Sequence, residues 1–381
     1  MRFDLTGEQQ QVLDMVRSLA RKSFAPMAAK IDEEARYPKE NMERLAELGL
    51  LGMLFPASCG GSEAGPVAYN IALREVAGGC ASTAVGMAVT NMVGEAIWRF
   101  GDEDQRKKFL PGLASGDIGA GAFALTEPSS GSDAASLSTT AVRDGGAYLL
   151  SGSKAFITNG SRAGVTIVMA LTRREPREIS AFLVEPGTTG FSAGRPERKM
   201  GLKGSDTVSL SFDECRIPER NLLGGLGEGL KIALETLDGG RIGIASQAIG
   251  IARSALDTAT SYAKDRKQFG QPIAGFEAIQ WMLADAATEL DAAQLLAFRA
   301  AWLKERGKSY TREASMAKVF ATEAGNRACH KAVQVLGGYG YLQEYPVERH
   351  LRDIRVTTIY EGTSEIQRVV ISRGLLRQGI R

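Results

Sequence analysis

The sequence predicts an α+β multidomain protein. A helical domain spans residues 1–119, a small β domain 120–224, and a helical bundle domain 225–381. Three observations carry this. Apolar residues recur at spacings of three and four in both outer segments. Between about 120 and 224, short β-favouring runs alternate with turn signals. The helical period then returns as one long stripe, Ile242, Ala245, Ile249, Ala252, Leu256, Ala259 and Ala263.

In chain order, Thr6 is placed to cap a helix that begins Gly7-Glu8-Gln9, with Leu5, Val12, Leu13, Val16 and Leu19 on one face. Further helices are predicted over 42–51, 67–76 and 105–113. Phe55-Pro56 and Cys59-Gly60-Gly61 interrupt them. Strands are predicted at 122–126, 137–142, 148–158, 165–171, 179–184 and 208–212. Asp144-Gly145-Gly146, Asn159-Gly160 and Pro186-Gly187 mark turns between them. After the long stripe, helices follow over 276–304, 310–336 and 364–377, and Gly337-Gly338 stops the second of these.

Composition narrows the function classes. Lys and Arg (46) nearly balance Asp and Glu (44), so charge offers no case for nucleic acid or an anionic membrane surface as the main partner. No apolar run approaches the roughly 18–20 residues that cross a bilayer, so membrane insertion is not expected. The opening MRFDLTGEQQ carries acids early and has no leader-like run. This predicts a cytoplasmic (bacterial) protein, or an organelle-matrix one whose leader has been removed. Cys59, Cys80, Cys215 and Cys329 are scattered and read as buried free thiols. The only histidines, His330 and His350, lie far apart, so no metal centre or His-based triad is expected.

Four stretches resemble one family, the acyl-CoA dehydrogenases. They are Ala124-Leu-Thr-Glu-Pro-Ser-Ser-Gly-Ser-Asp133, Lys154-Ala-Phe-Ile-Thr-Asn-Gly160, Gln334-Val-Leu-Gly-Gly338 and Ile359-Tyr-Glu-Gly-Thr-Ser-Glu-Ile-Gln-Arg368. Phe212-Asp-Glu-Cys-Arg-Ile-Pro218 and Asp265-Arg-Lys-Gln-Phe-Gly270 support them. The resemblance covers essentially the whole chain, and its C-terminal half looks most like the short-chain (butyryl-CoA) branch. It implies an N-terminal helical domain, a central β-barrel or sandwich and a C-terminal four-helix bundle. It also implies a homotetramer, a dimer of dimers, with FAD at subunit interfaces. The activity implied is α,β-dehydrogenation of a short- or medium-chain acyl-CoA to the trans-2-enoyl-CoA, with electrons passed to an electron-transferring flavoprotein. A branched or cyclic acyl-CoA is the alternative substrate; a flavin oxidase or monooxygenase on the same fold is the rival activity. A decarboxylating glutaryl-type enzyme needs a cation for the distal carboxylate, and residues 83–98 contain no Lys or Arg.

Such a reaction needs a carboxylate near the α carbon, donors for enolate charge and a hydride acceptor. Flavin supplies the last. The resemblance makes Glu361 the base. On its own, an acid there could equally be a solvated residue favoured by a helix N-terminus. Burial would raise its pKa and the helix end would oppose the rise; the sequence leaves the outcome open. Ser364 and Gln367 fit a capping box for the last helix. Some relatives carry the base at the position here occupied by Gly240, which offers no second candidate.

By the same resemblance, Leu125 and Thr126 contact the flavin pyrimidine edge, and Phe156, Ile157 and Thr158 cover the ring. Ser132 donates to phosphate or the CoA moiety. Arg266 and Phe269 reach a cofactor held mainly by a neighbouring subunit; Gln334, Val335, Leu336, Gly337, Gly338, Thr363 and Glu365 line the remainder. Tyr360, Gly362, Asp238 and Arg241 fall on substrate positions. Asp238 and Arg241 could instead form an i,i+3 ion pair. Glu277 departs from the family, which usually places Gln there. It suits a ribose hydroxyl better than a phosphate.

Overall fold

The protein is described here by a computed structural model covering residues 4–378. The fold starts at the expected cap. The Thr6 side chain accepts from the Gln9 amide, and the Gln9 side chain accepts from the Thr6 N–H. The first helix, α1 (Gly7–Leu19), leads through one π-turn at Ala20–Phe24 into α2 (Ala25–Glu33). Then come α3 (Lys39–Glu47), α4 (Gly65–Gly79), α5 (Ala81–Phe100) and α6 (Glu103–Ser115).

Strands β1 (Ala120–Ala124), β2 (Thr140–Asp144), β3 (Ala147–Thr158), β4 (Ala163–Arg173), β5 (Glu178–Val184), β6 (Phe191–Ala193), β7 (Thr207–Pro218) and β8 (Leu222–Leu223) form one eight-stranded sheet. Its order is β6-β7-β3-β2-β4-β5-β8, with β1 added in parallel to β4. Antiparallel β3 and β7 shift register between Lys154 and Ile157. Such a bulge re-aims a side chain: Phe156 takes a φ of 59° and is 68% exposed, while Ile157 returns to the β core.

The chain continues as α7 (Gly229–Asp265), a short hairpin of β9 (Lys267–Gln268) and β10 (Gln271–Pro272), then α8 (Glu277–Glu305), α9 (Thr311–Leu336), α10 (Pro346–Ile354) and α11 (Ser364–Gln378). Alanines such as Ala252, Ala297 and Ala321 are fully buried in the bundle. Side chains this small allow helix axes to approach toward the short end of the usual 8–10 Å. Helices α7, α8 and α9 pack on one another, α11 lies on α9, and α4 crosses from the first segment onto α7. Among the described residues, no helix is long and apolar enough to cross a membrane.

Several elements differ from expectation. The helix expected at 42–51 is α3, Lys39–Glu47, and the strand expected at 137–142 begins only at Thr140. Residues 137–139 are held in a loop instead, because Glu127 takes the amides of Ser138 and Thr139. The sequence did not mark α5, since almost every residue of that helix is buried and it has no polar stripe to set a period. The short elements α10, β6, β8 and the β9–β10 hairpin also went unmarked.

Candidate functional site

Glu361 sits on a turn between α10 and α11 whose backbone runs through two left-handed positions, Glu361 at φ 50° and Gly362 at φ 91°. Glycine meets the second without strain. The expected capping box is not formed. Thr363 caps α11, its Oγ1 accepting from the Ile366 N–H at 3.3 Å, while the Ser364 hydroxyl is buried with no partner among the described residues. Gln367 reaches back past the helix start instead. Its Nε2 donates to the carbonyls of Gly362 at 2.9 Å and Glu361 at 3.4 Å.

Glu361 as a whole is partly covered, but its Oε2 is buried and has no hydrogen-bond partner among the described residues. Burial raises the carboxyl to about 7; the charges of Lys318 and then Arg241 pull the other way. Burial thus outweighs both cations. A side chain on Gly240 would collide with this carboxylate: an added Cβ would stand 2.0 Å from Oε2 and 3.0 Å from the Met92 Sδ. The neighbouring Tyr360 is fixed to α7 by a hydrogen bond from its hydroxyl to the Gln247 Oε1. What results is an enclosed carboxylate, near neutral in affinity for a proton, with one free oxygen.

Asp238 and Arg241 are joined by the i,i+3 ion pair, and both side chains are largely buried. Thr311 donates to Asp238, and Ser315 accepts from Arg241 at 3.3 Å. The pair therefore ties α7 to α9.

The expected flavin-facing residues of the β domain come together. The Ala155 N–H donates to the Thr126 carbonyl at 2.9 Å, placing Thr126 against the β3 segment that carries Phe156. Lys154, from the same stretch of β3, donates to the Leu125 carbonyl at 3.1 Å and to the Glu127 carboxylate at 2.8 Å. Both charged side chains are buried. Glu127 also accepts from the Ser138 hydroxyl and amide, each at 2.6 Å. Burial draws Lys154 down to about 8, and its partners draw Glu127 down to about 2 against burial. Ile157 can offer the flavin only its backbone, because its side chain faces the core. Ser132 lies exposed on the same loop.

A second group assembles elsewhere. Arg266, Val335, Leu336, Gly337 and Gly338 line a cavity of about 490 Å³ together with Tyr262 and Tyr339. None of the β-domain residues above, nor Thr363 or Glu365 at the start of α11, is among its lining residues. Gln334 is exposed just outside it, on the last turn of α9. Phe269 stands 93% exposed in the turn between β9 and β10, edge-on to Phe276. Glu277 opens α8 and is exposed.

Sequence reasoning missed Lys318, Gln247 and the Glu127–Lys154 pair. Lys318 carried a signal: it falls four residues after Ala314 and one after Ala317, on the buried face of α9. A lysine at such a register needs a partner.

The site thus combines an exposed aromatic on a β bulge, an arginine-bearing cavity with tyrosine walls and an enclosed carboxylate. The chain belongs to the acyl-CoA dehydrogenase family: the family's N-terminal, middle and C-terminal domain models match residues 6–117, 122–215 and 227–376. It is 47% identical over 377 residues to the mitochondrial short-chain specific acyl-CoA dehydrogenase of Homo sapiens, covering 98% of this chain and 91% of that one. Two solved structures superpose with a TM-score of 0.97, each covering 99% of this chain and all of its counterpart. One is described as the electron transferring flavoprotein of Acidaminococcus fermentans (44% identity), the other as butyryl-CoA dehydrogenase from Megasphaera elsdenii (43%).

The family is FAD-dependent, and the residues present fit that cofactor. Phe156 offers a ring face, and the Arg266 guanidinium suits phosphate oxygens. Gly337 and Gly338 leave open space where side chains would project.

Proposed function

We propose that this protein is an acyl-CoA dehydrogenase of short- or medium-chain acyl-CoA, with Glu361 as the base. Leu125, Thr126, Phe156 and Thr158 hold the flavin ring, with Ser132 at the CoA or phosphate side. Arg266 and residues 334–338 of a second subunit hold the adenosine portion. The observation that carries the reading is the Glu361 Oε2, enclosed and without a partner. A buried acceptor left unpaired is disfavoured unless something completes it. An acyl thioester bound here would place its α C–H against this oxygen, which is free to take the proton. FAD held by these residues would supply the acceptor for the β hydride and the route for electrons to an electron-transferring flavoprotein.

Glu361 takes the α proton in its ionised form, and a proton affinity near neutrality suits a general base working near pH 7. The left-handed turn fixes where the carboxylate points, and Gly240 leaves room for it. The 2-enoyl thioester then leaves with the proton retained on Glu361.

Subunit pairing is supported by the fact that the β-domain residues do not line the cavity that holds Arg266 and Gly337. It is also favoured by exposed aromatics, Phe269 at 93% and Tyr341 at 86%, which association would cover. A homotetramer in the cytoplasm is the assembly proposed. An acyl group with a second charge is disfavoured. Lys304 of α8 does reach α5, but Glu95 occupies its ammonium at 2.6 Å.

A panel of acyl-CoAs, read by flavin bleaching with an artificial electron acceptor, tests this. Butyryl- and hexanoyl-CoA are expected to outpace palmitoyl- and glutaryl-CoA. Preferential oxidation of either of the latter refutes the substrate class, and a purified protein that holds no flavin refutes the reaction.

A further inference from the structure

Lys318 is fully buried in the middle of α9, on a face it shares with Ala314, Ser315, Ala321 and Thr322. A lysine is almost never buried without a partner, because its charge must be compensated. Among the described residues its ammonium donates to one acceptor, the Gly362 carbonyl, at 2.8 Å. It enters none of the described ion pairs. Arg241, the other cation near Glu361, is already paired with Asp238.

The Gly362 carbonyl therefore receives two donors, Lys318 from α9 and Gln367 from α11. This is the turn on which Glu361, a non-glycine residue, is held at a left-handed φ of 50°, a strain that persists only where the surroundings over-determine it. We infer that Lys318 is a positioning residue for the base: it anchors the catalytic turn through the Gly362 carbonyl and lends the Glu361 carboxylate an otherwise uncommitted positive charge.

The inference rests on the reading of Glu361 as base. The groups that act on that carboxyl are Lys318 from α9, Arg241 from α7, and Tyr69 of α4 and Tyr360 as neutral phenols. Burial lowers the Lys318 ammonium to about 8, Arg241 adds to that, and Glu361, Glu323 and Glu365 oppose it, so the charge is in place at pH 7 and is lost toward pH 9. After burial, which raises the carboxyl, Lys318 is the largest influence, and it favours the ionised form.

The test compares flavin-loaded Lys318→Met, Lys318→Gln, Lys318→Arg and Glu361→Gln proteins with wild type. The readout is anaerobic flavin reduction by butyryl-CoA from about pH 6 to about pH 9. In wild type the rate rises with pH as Glu361 ionises. An opposite charge close to a carboxylate lowers its pKa by about one unit or more. Without it the midpoint moves up by that amount in the Met and Gln variants. Reduction then falls roughly fivefold at pH 7 and recovers toward pH 9. The Arg variant keeps the wild-type midpoint. A purely structural role would instead lower the rate equally at every pH.

If Lys318→Met does not retain flavin, Lys318→Gln decides, since it keeps a donor for Gly362 but no charge. An unshifted midpoint in that variant, or an Arg variant displaced as far as the neutral ones, overturns the inference. Failure of the base itself reads differently, as rapid flavin reduction by Glu361→Gln.

Discussion

Gly240→Ala probes the catalytic geometry from the opposite wall. A methyl at this position would lie 2.0 Å from the Glu361 Oε2, and Cβ contacts under 3.0 Å essentially do not occur, so the carboxylate must retreat by about 1 Å. The Met92 Sδ, at 3.0 Å, must also give by a few tenths of an ångström. A displacement of about 1 Å at a reacting group costs on the order of 10²-fold in rate, or about 2.7 kcal/mol of barrier. Stability moves the other way, because Gly240 lies inside α7 and alanine is favoured there by about 1 kcal/mol. Stopped-flow reduction of the flavin by butyryl-CoA, run beside thermal unfolding, measures both. The expected protein is yellow, at least as stable as wild type, and slow. A Gly240→Ala variant that reduces its flavin at the wild-type rate would refute the placement of the base against α7.

Two further outcomes are expected. Lys154→Met removes one partner of a buried ion pair and leaves Glu127 charged and enclosed, which destabilises by about 3–5 kcal/mol. Denaturant unfolding reads that loss, and flavin retention falls with it because Lys154 also holds the Leu125 carbonyl; unchanged stability would mean that the pair does not order this loop. Arg266→Ala should release cofactor and loosen the assembly together, whereas Glu277→Gln should alter flavin affinity little if the acid faces a ribose. Flavin content and sedimentation test both; an Arg266→Ala tetramer with unchanged affinity, or a flavin-retaining monomeric wild type, contradicts the interface picture.

The order of helices, strands and helices was legible because each element with one exposed face leaves a period. The stripe from Ile242 to Ala263 lies within α7, and Thr6 caps α1. Helix α5 left no period, being buried almost all round. Glu361 was legible only through its motif: nothing local distinguishes an enclosed acid from a solvated one, since the residues that enclose it come from α7 and α9. Arg241 and Lys318 lie 120 and 43 residues upstream. The capping prediction failed for a related reason. Ser364 and Gln367 had the right spacing, but Thr363, one residue earlier, fits the turn, and Gln367 is drawn to carbonyls that the unusual backbone leaves pointing at it. The Glu127–Lys154 pair joins residues 27 apart in sequence. Each lay in a recognised motif, yet no spacing rule connects a loop acid to a strand lysine.

The central claim is that Glu361 alone abstracts the α proton, and the single-turnover reduction of Glu361→Gln tests it most directly. The variant should retain flavin and bind acyl-CoA, because the amide fits the same enclosed space. Loss of a positioned base slows the step by about 10²–10⁴-fold, so bleaching by butyryl-CoA should nearly vanish at every pH. Flavin reduction at close to the wild-type rate in that protein would contradict the account.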